Sequence, residues 1–227
     1  MTYARLVVLS LSVALLGCPS VHTLRSAEVL PSGKSEVVTH VGMNGALVSA
    51  EATAEGESEG GSAAAVIPWA AFSYRAGLGN NLDFQAKFDL GLFPELGVAY
   101  QFIGTPGQGG TAVSAYLGAK YFSGGAGESS GSVIYSPAVL LADLPLGASV
   151  ITVKGGLMIL GASAGGESSF TAKPLVGVGA RVKVGGLTLL PEVSYMHGIS
   201  ETASSGDGTA SASVDAGLLA YGLGFSF

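Results

Sequence analysis

The chain has 227 residues, a formal net charge of −6 and only 11% charged residues, well below the roughly 25% usual for a water-soluble domain. The acidic balance gives no basic patch for nucleic acid. The one cysteine, Cys18, excludes an internal disulfide, and no apolar run is long enough for a mature spanning helix. Yet 48% of the residues are hydrophobic and 36 are glycine, a combination that fits a β protein whose outside is not water.

Residues 1–17 carry one positive charge, Arg5, and an apolar run from Leu6 to Leu16. That run is too short to span and the right length for the core of a signal peptide. It ends Leu15-Leu16-Gly17-Cys18, which resembles the bacterial lipoprotein cleavage box, with Leu at −3 and a small residue at −1. The resemblance implies cleavage before Cys18 and acylation of that residue by the lipoprotein-processing machinery. Acyl chains, each CH₂ worth about 0.8 kcal/mol when buried, would anchor the mature N-terminus. Pro19 stands where an inner-membrane retention Asp would be, which favours the outer membrane. Residues 18–33 have no clean period and read as a periplasmic linker, or as a plug segment.

From residue 34 to 227 the chain alternates apolar with small or polar residues, in segments of 9 or more residues. Ten strands are predicted, at 35–50, 65–76, 82–92, 95–103, 111–122, 132–142, 148–160, 170–184, 187–197 and 209–227. Eight is the alternative if 82–103 fails to make two spans. The third is the clearest, with Phe84, Ala86, Phe88 and Leu90 on one face and Asp83, Gln85, Lys87 and Asp89 on the other. The last reads Leu219, Tyr221, Leu223, Phe225, Phe227 on one face and Ala220, Gly222, Gly224, Ser226 on the other. Gly185-Gly186 between Val184 and Leu187 is a two-residue hairpin signal; it pairs Val184 with Leu187 and Val182 with Leu189. Glu192 then falls one diagonal step from Arg181.

Connections alternate between tight turns and Gly/Ser/Glu-rich stretches at 51–62, 123–131, 161–169 and 198–208, which hold acidic residues and no Lys or Arg. Together with the even strand count, this resembles a small bacterial outer-membrane β-barrel: all-β, antiparallel and transmembrane, with short periplasmic turns and longer outer loops. The resemblance implies a periplasmic N-terminus and extracellular acidic loops. It implies lipid as the partner of the outer face, a monomer, and an assembly signal at Tyr221, Phe225 and Phe227 read by the barrel-assembly machinery.

Alternation places His40, Arg75, Asp83, Lys87, Asp89, Lys120, Lys154, Arg181, Lys183 and Glu192 on the inward face, joined by Glu36 and Lys173. A ten-strand lumen is narrow, so these residues read as a paired polar network. A narrow porin-like pore lined by Lys and Arg is the competing reading. His197, before Ser200 and Glu201, raises a third: a hydrolase at the outer rim, as in the lipid A deacylase and omptin families. The three-residue spacing of His197 and Ser200 puts them on opposite faces. Asp207 is the one nearby Asp, so no catalytic set is assigned. No Cys/His metal spacing occurs and the Gly-x-Gly pairs lack a nucleotide site's strand–turn–helix setting, so no cofactor is expected. The reading is a non-enzymatic outer-membrane barrel lipoprotein with a structural or surface-interaction role.

Overall fold

The structure, a computed structural model, describes residues 22, 23, 25–54, 57–89, 94–126, 129–164, 167–204 and 210–226. The signal-peptide core, Cys18 and Phe227 lie outside the described residues. Ten strands run in chain order: β1 Ser35–Ala54, β2 Glu57–Gly79, β3 Leu82–Asp89, β4 Pro94–Ile103 and β5 Ala112–Ala126. They continue as β6 Ser129–Leu146, β7 Ser149–Ala164, β8 Glu167–Val184, β9 Leu187–Ser204 and β10 Ala210–Ser226. Each pairs antiparallel with its neighbour and β1 pairs with β10, so the sheet closes into a barrel. Closure leaves no edge strand with unpaired backbone groups.

The predicted segments are therefore strands, and β3 and β4 both form, which removes the eight-strand alternative. The hairpin register holds: Val184 lies opposite Leu187, Val182 opposite Leu189 and Gly179 opposite Glu192. The turn supplies the conformation the ladder needs, with Gly185 at φ 63°. At the β2–β3 turn the same left-handed role falls to Asn80 and Asn81, at φ 51° and 61°. Asn is among the few side-chain-bearing residues that tolerate this region.

The outer ends differ from the sequence reading. Most of the stretches expected to be acidic loops are ladder. Thr53 pairs with Ser58 and Ala54 with Glu57, so the expected loop at 51–62 is a hairpin, and β9 runs on to Ser204. Small polar residues carry no apolar face there, so the alternation that marks a strand is lost while backbone pairing continues. Asp143 is likewise a strand residue, not part of a turn, because β6 extends to Leu146.

The two faces separate cleanly. Val37, Val41, Met43, Phe72, Tyr74, Leu96, Val98, Tyr100, Val153, Leu157, Val176, Val193 and Tyr221 point outward and are exposed, and Phe170 is 73% exposed. That apolar wall is continuous around the barrel. Inward residues of the same strands are buried.

Candidate functional site

The lumen is filled by the chain's own N-terminal segment. His22, Thr23, Arg25, Ser26, Ala27 and Val29 are all buried. This corrects the linker reading of 18–33 in favour of a plug, for the residues described. The segment rises into the barrel from the rim where β1 begins. Gly33 N–H donates to the Gly77 carbonyl and Gly77 N–H to the Lys34 carbonyl, which ties its base to β2.

The plug has no ladder, so its buried peptide groups need other partners. Wall side chains supply them. Asp143 accepts from Ala27 N–H at 2.9 Å and Glu28 N–H at 3.0 Å. Gln101 Oε1 accepts from Val29 N–H at 2.9 Å, and Asp83 from Leu30 N–H at 3.3 Å. Glu192 Oε1 accepts from Thr23 N–H at 3.2 Å.

Two charge clusters lie one above the other. Nearer the base, Arg25 makes a two-pronged contact with Asp83, at 2.9 and 3.0 Å, and donates to Gln85 Oε1 at 3.2 Å. Its guanidinium carbon lies 5.0 Å from the centre of the Tyr116 ring. Arg75 also donates to Asp83, at 2.7 Å, and reaches Glu36 and the Glu28 carbonyl. Arg181 donates to Glu28 Oε2 at 2.7 Å and Gly109 N–H to Glu28 Oε1 at 2.8 Å. Partial burial alone would raise the Glu28 carboxyl. Arg181 and the peptide N–H groups of Gly109 and Gly107 outweigh that and hold it below the usual carboxylate range.

Deeper in the lumen, Lys154 Nζ bonds Glu192 at 2.6 Å and Ser194 Oγ donates to the same oxygen at 2.9 Å. His22 Nδ1 lies 3.0 Å from it. Lys154 and Glu192 stand on β7 and β9, with β8 between. The bond exists because Gly177 of β8 leaves the path clear: a Cβ there would sit 2.5 Å from Lys154 Cε. Lys87 pairs with Glu95 at 2.8 Å and donates to the His22 carbonyl at 2.9 Å; Tyr116 hydroxyl donates to Glu95 at 2.8 Å. Lys120 pairs with Asp89. His40 Nε2 lies 2.7 Å from Ser73 Oγ. The His22 ring stacks on Trp69, with centroids 4.9 Å apart.

The structure thus brings His40, Arg75, Asp83, Lys87, Asp89, Lys120, Lys154, Arg181 and Glu192 to the inner side of the barrel. Lys183 departs from the expectation. It follows the inward alternation of β8 but sits beside the Gly185-Gly186 turn, beyond the packed lumen, and is exposed. The register keeps Arg181 one diagonal step from Glu192, as expected, while Arg181 bonds Glu28 of the plug and Glu192 bonds Lys154 of β7. Sequence reasoning missed Glu95, Asp143, Gln101 and Tyr116 as inward groups, and Arg25, His22 and Glu28 as plug groups. Strict alternation from Leu96 and Val98 would have found Glu95 and Gln101. With Glu95 and Asp143 counted, the inner wall carries both signs and no cationic excess.

His197 is exposed on the outward face, its Nδ1 3.4 Å from the Tyr195 hydroxyl. The side chains of Ser200, Glu201 and Asp207 lie outside the described residues. Among the described residues no group of three or more His, Cys, Asp or Glu could hold a metal ion. Tyr221 and Phe225 lie on the outward alternation of β10.

No family model and no curated protein matches the chain. Among solved structures it is similar to the outer membrane protease OmpT from Escherichia coli, at 8% identity and a TM-score of 0.46, over 89% of this chain and 100% of that one. It is similar to the outer membrane protein OprG from Pseudomonas aeruginosa, at 8% identity and 0.41, over 89% and 99%. It is also similar to Ail, the attachment invasion locus protein of Yersinia pestis, at 11% identity and 0.31, over 83% and 98%.

Proposed function

We propose that this chain is a transmembrane β-barrel of a bacterial outer membrane, sealed by its own N-terminal segment. Its role in this reading is structural or surface-interacting and not enzymatic. The belt of exposed Val, Leu, Phe and Tyr side chains supports the membrane setting, since hydrocarbon covers such a wall at no cost. The observation that carries the closed reading is the seated plug: its peptide N–H groups, the Glu28 carbonyl and its Arg25, Glu28 and His22 side chains are taken up by wall residues on β2, β3, β4, β6, β8 and β9. The rim holding the plug's base is the periplasmic one in this reading, and the long β1–β2 and β9–β10 ends face outward. Lipid, the barrel-assembly machinery and the lipoprotein-processing machinery are the partners, and the barrel is a monomer.

The lipoprotein reading of Cys18 adds a constraint. Glu192 lies six residues beyond Gly186, which at about 2.5 Å of depth per tilted strand residue is about 15 Å above the rim. His22 bonds Glu192 there, and Cys18, four residues earlier, reaches at most about 14 Å from it. An acylated Cys18 held in the periplasmic leaflet and a fully seated plug therefore compete.

That competition favours a second reading, a gated narrow pore for small solutes or ions. The plug is no part of the wall, so its withdrawal leaves the ten-strand closure intact. Planar-bilayer recording tests both. The intact protein is expected to show no steady conductance, and deletion of residues 22–31 to open it. Steady conductance of the intact protein would replace the closed reading with the pore. Replacing Cys18 with Ser should abolish labelled fatty-acid incorporation, and label persisting in that variant would end the lipoprotein reading.

A further inference from the structure

A groove on the outer wall, where β1 meets β10, stands apart from the plugged lumen. Gly42 and Gly222 face each other across this seam on the inward alternation of β1 and β10, so they floor the groove with backbone alone. The Trp69 ring lies beneath them on the lumen side; a Cβ on Gly222 would sit 2.9 Å from its Cζ2. On the flanks Pro68 pairs with Met43 and Pro191 with Leu223. Neither proline has an N–H, yet the β1–β2 and β9–β10 ladders run unbroken through both, so the missing donors face away from the seam; for Pro191 that side is β8, where the pairing lapses between Gly179 and Val182. Val41, Met43, Val193 and Tyr221 rise as the groove's sides, each more than 40% exposed. The groove is open to the outside and offers a volume of about 560 Å³.

The chemistry of the lining selects the occupant. Glu192 reaches the groove only from the lumen side and is already bonded to Lys154, Ser194 and His22. The Tyr221 hydroxyl donates to Met43 Sδ at 3.3 Å and is not turned toward an incoming polar group. The outward lining is uncharged and apolar. Depth decides the rest: Gly222 pairs with Glu192, about 15 Å from the rim of an apolar band about 25 Å tall. Headgroups do not reach that level; hydrocarbon does. We propose that this groove binds one acyl chain of a membrane lipid, as a fixed site and not as a passing stretch of the belt. The proposal rests on the membrane reading above.

The test uses the full chain in phosphatidylcholine nanodiscs carrying a photoreactive diazirine at the middle of one acyl chain, with cross-links mapped by peptide mass spectrometry. Val41, Met43, Val193, Tyr221 and Leu223 should take label several-fold more densely than outward residues on the far wall, such as Val153, Leu157 and Leu140. Val193→Trp, or Val41→Phe should the first fail to fold, fills the groove from outside and should bring seam labelling down to the far-wall level. Even labelling around the barrel would overturn the proposal. So would cross-links joining two copies through the seam, which would make the groove a protein interface. A protein that takes no acyl label on any face would sink the membrane reading itself.

Discussion

Arg25→Ala is the sharpest test of what holds the plug. The guanidinium is fully buried and is bound by Asp83 through two bonds and by Gln85 through one, beside the Tyr116 ring. Removing one member of a buried pair costs about 3–5 kcal/mol, because the other charge is left behind. Asp83 is not stranded here: Arg75 at 2.7 Å and Leu30 N–H at 3.3 Å stay with it. The lower end, about 3 kcal/mol, is therefore the appropriate figure. The loss falls on the seated state and not on the wall, since every strand pairing persists without Arg25. At a factor of ten per 1.4 kcal/mol, the equilibrium between withdrawn and seated plug should shift about a hundredfold toward withdrawal. Single-channel recording reads this as open probability. Gel mobility of unheated against heated protein, in parallel, checks that the barrel is folded. A folded Arg25→Ala protein with an open probability equal to wild type would refute the claim that this pair holds the plug.

Two further outcomes follow from the geometry. Gly177→Ala puts a Cβ in the path of Lys154 and 2.9 Å from Ser194 Oγ, so it should break the Lys154–Glu192 bond and lower stability by roughly 1–3 kcal/mol. A lowered urea midpoint measures it; Gly179→Ala, whose nearest contact is the Pro191 carbonyl at 3.1 Å, should cost less, and an equal effect would contradict the account. Glu28 predicts a pH dependence. Its pKa is lower in the seated plug than in the released chain, so its contribution is whole above about pH 4.3 and is lost as pH falls through the lower, seated value. Channel openings should rise on acidification in that window, and openings that rise on making the solution alkaline instead would contradict it.

The wall was legible in the sequence because period-two alternation is what a lipid-covered barrel demands of each strand. Phe84 to Asp89 and Leu219 to Phe225 carry that pattern outright, and Gly185-Gly186 set a register that every neighbouring pair obeys. The outer ends were less legible for the converse reason: Glu51 to Ser62 has nothing large on either face, and backbone pairing alone leaves no period to read. The plug showed only as a stretch without a period, which reads equally as a linker. Thr23, Ala27, Glu28, Val29 and Leu30 are held through their peptide N–H groups by Asp143, Gln101, Asp83 and Glu192, a mode of binding that asks no repeat of their side chains. The bond from Lys154 to Glu192 skips a strand, a pairing that nearest-neighbour logic does not reach.

The plug's contacts also fix an order of events in assembly. Ala27 and Glu28 bond to Asp143, and His22 to Glu192, partners 115 to 170 positions further along the chain. The segment made early thus has nowhere to dock until β6 and β9 are in place. The ring closes only when β1 finds β10, the last strand made. Contacts this distant in sequence form late. The plug's partners lie on β2 to β9, so its contacts do not wait for that closure: its seating on the unclosed sheet races the meeting of β1 with β10, and the ring is unobstructed only in molecules where closure wins.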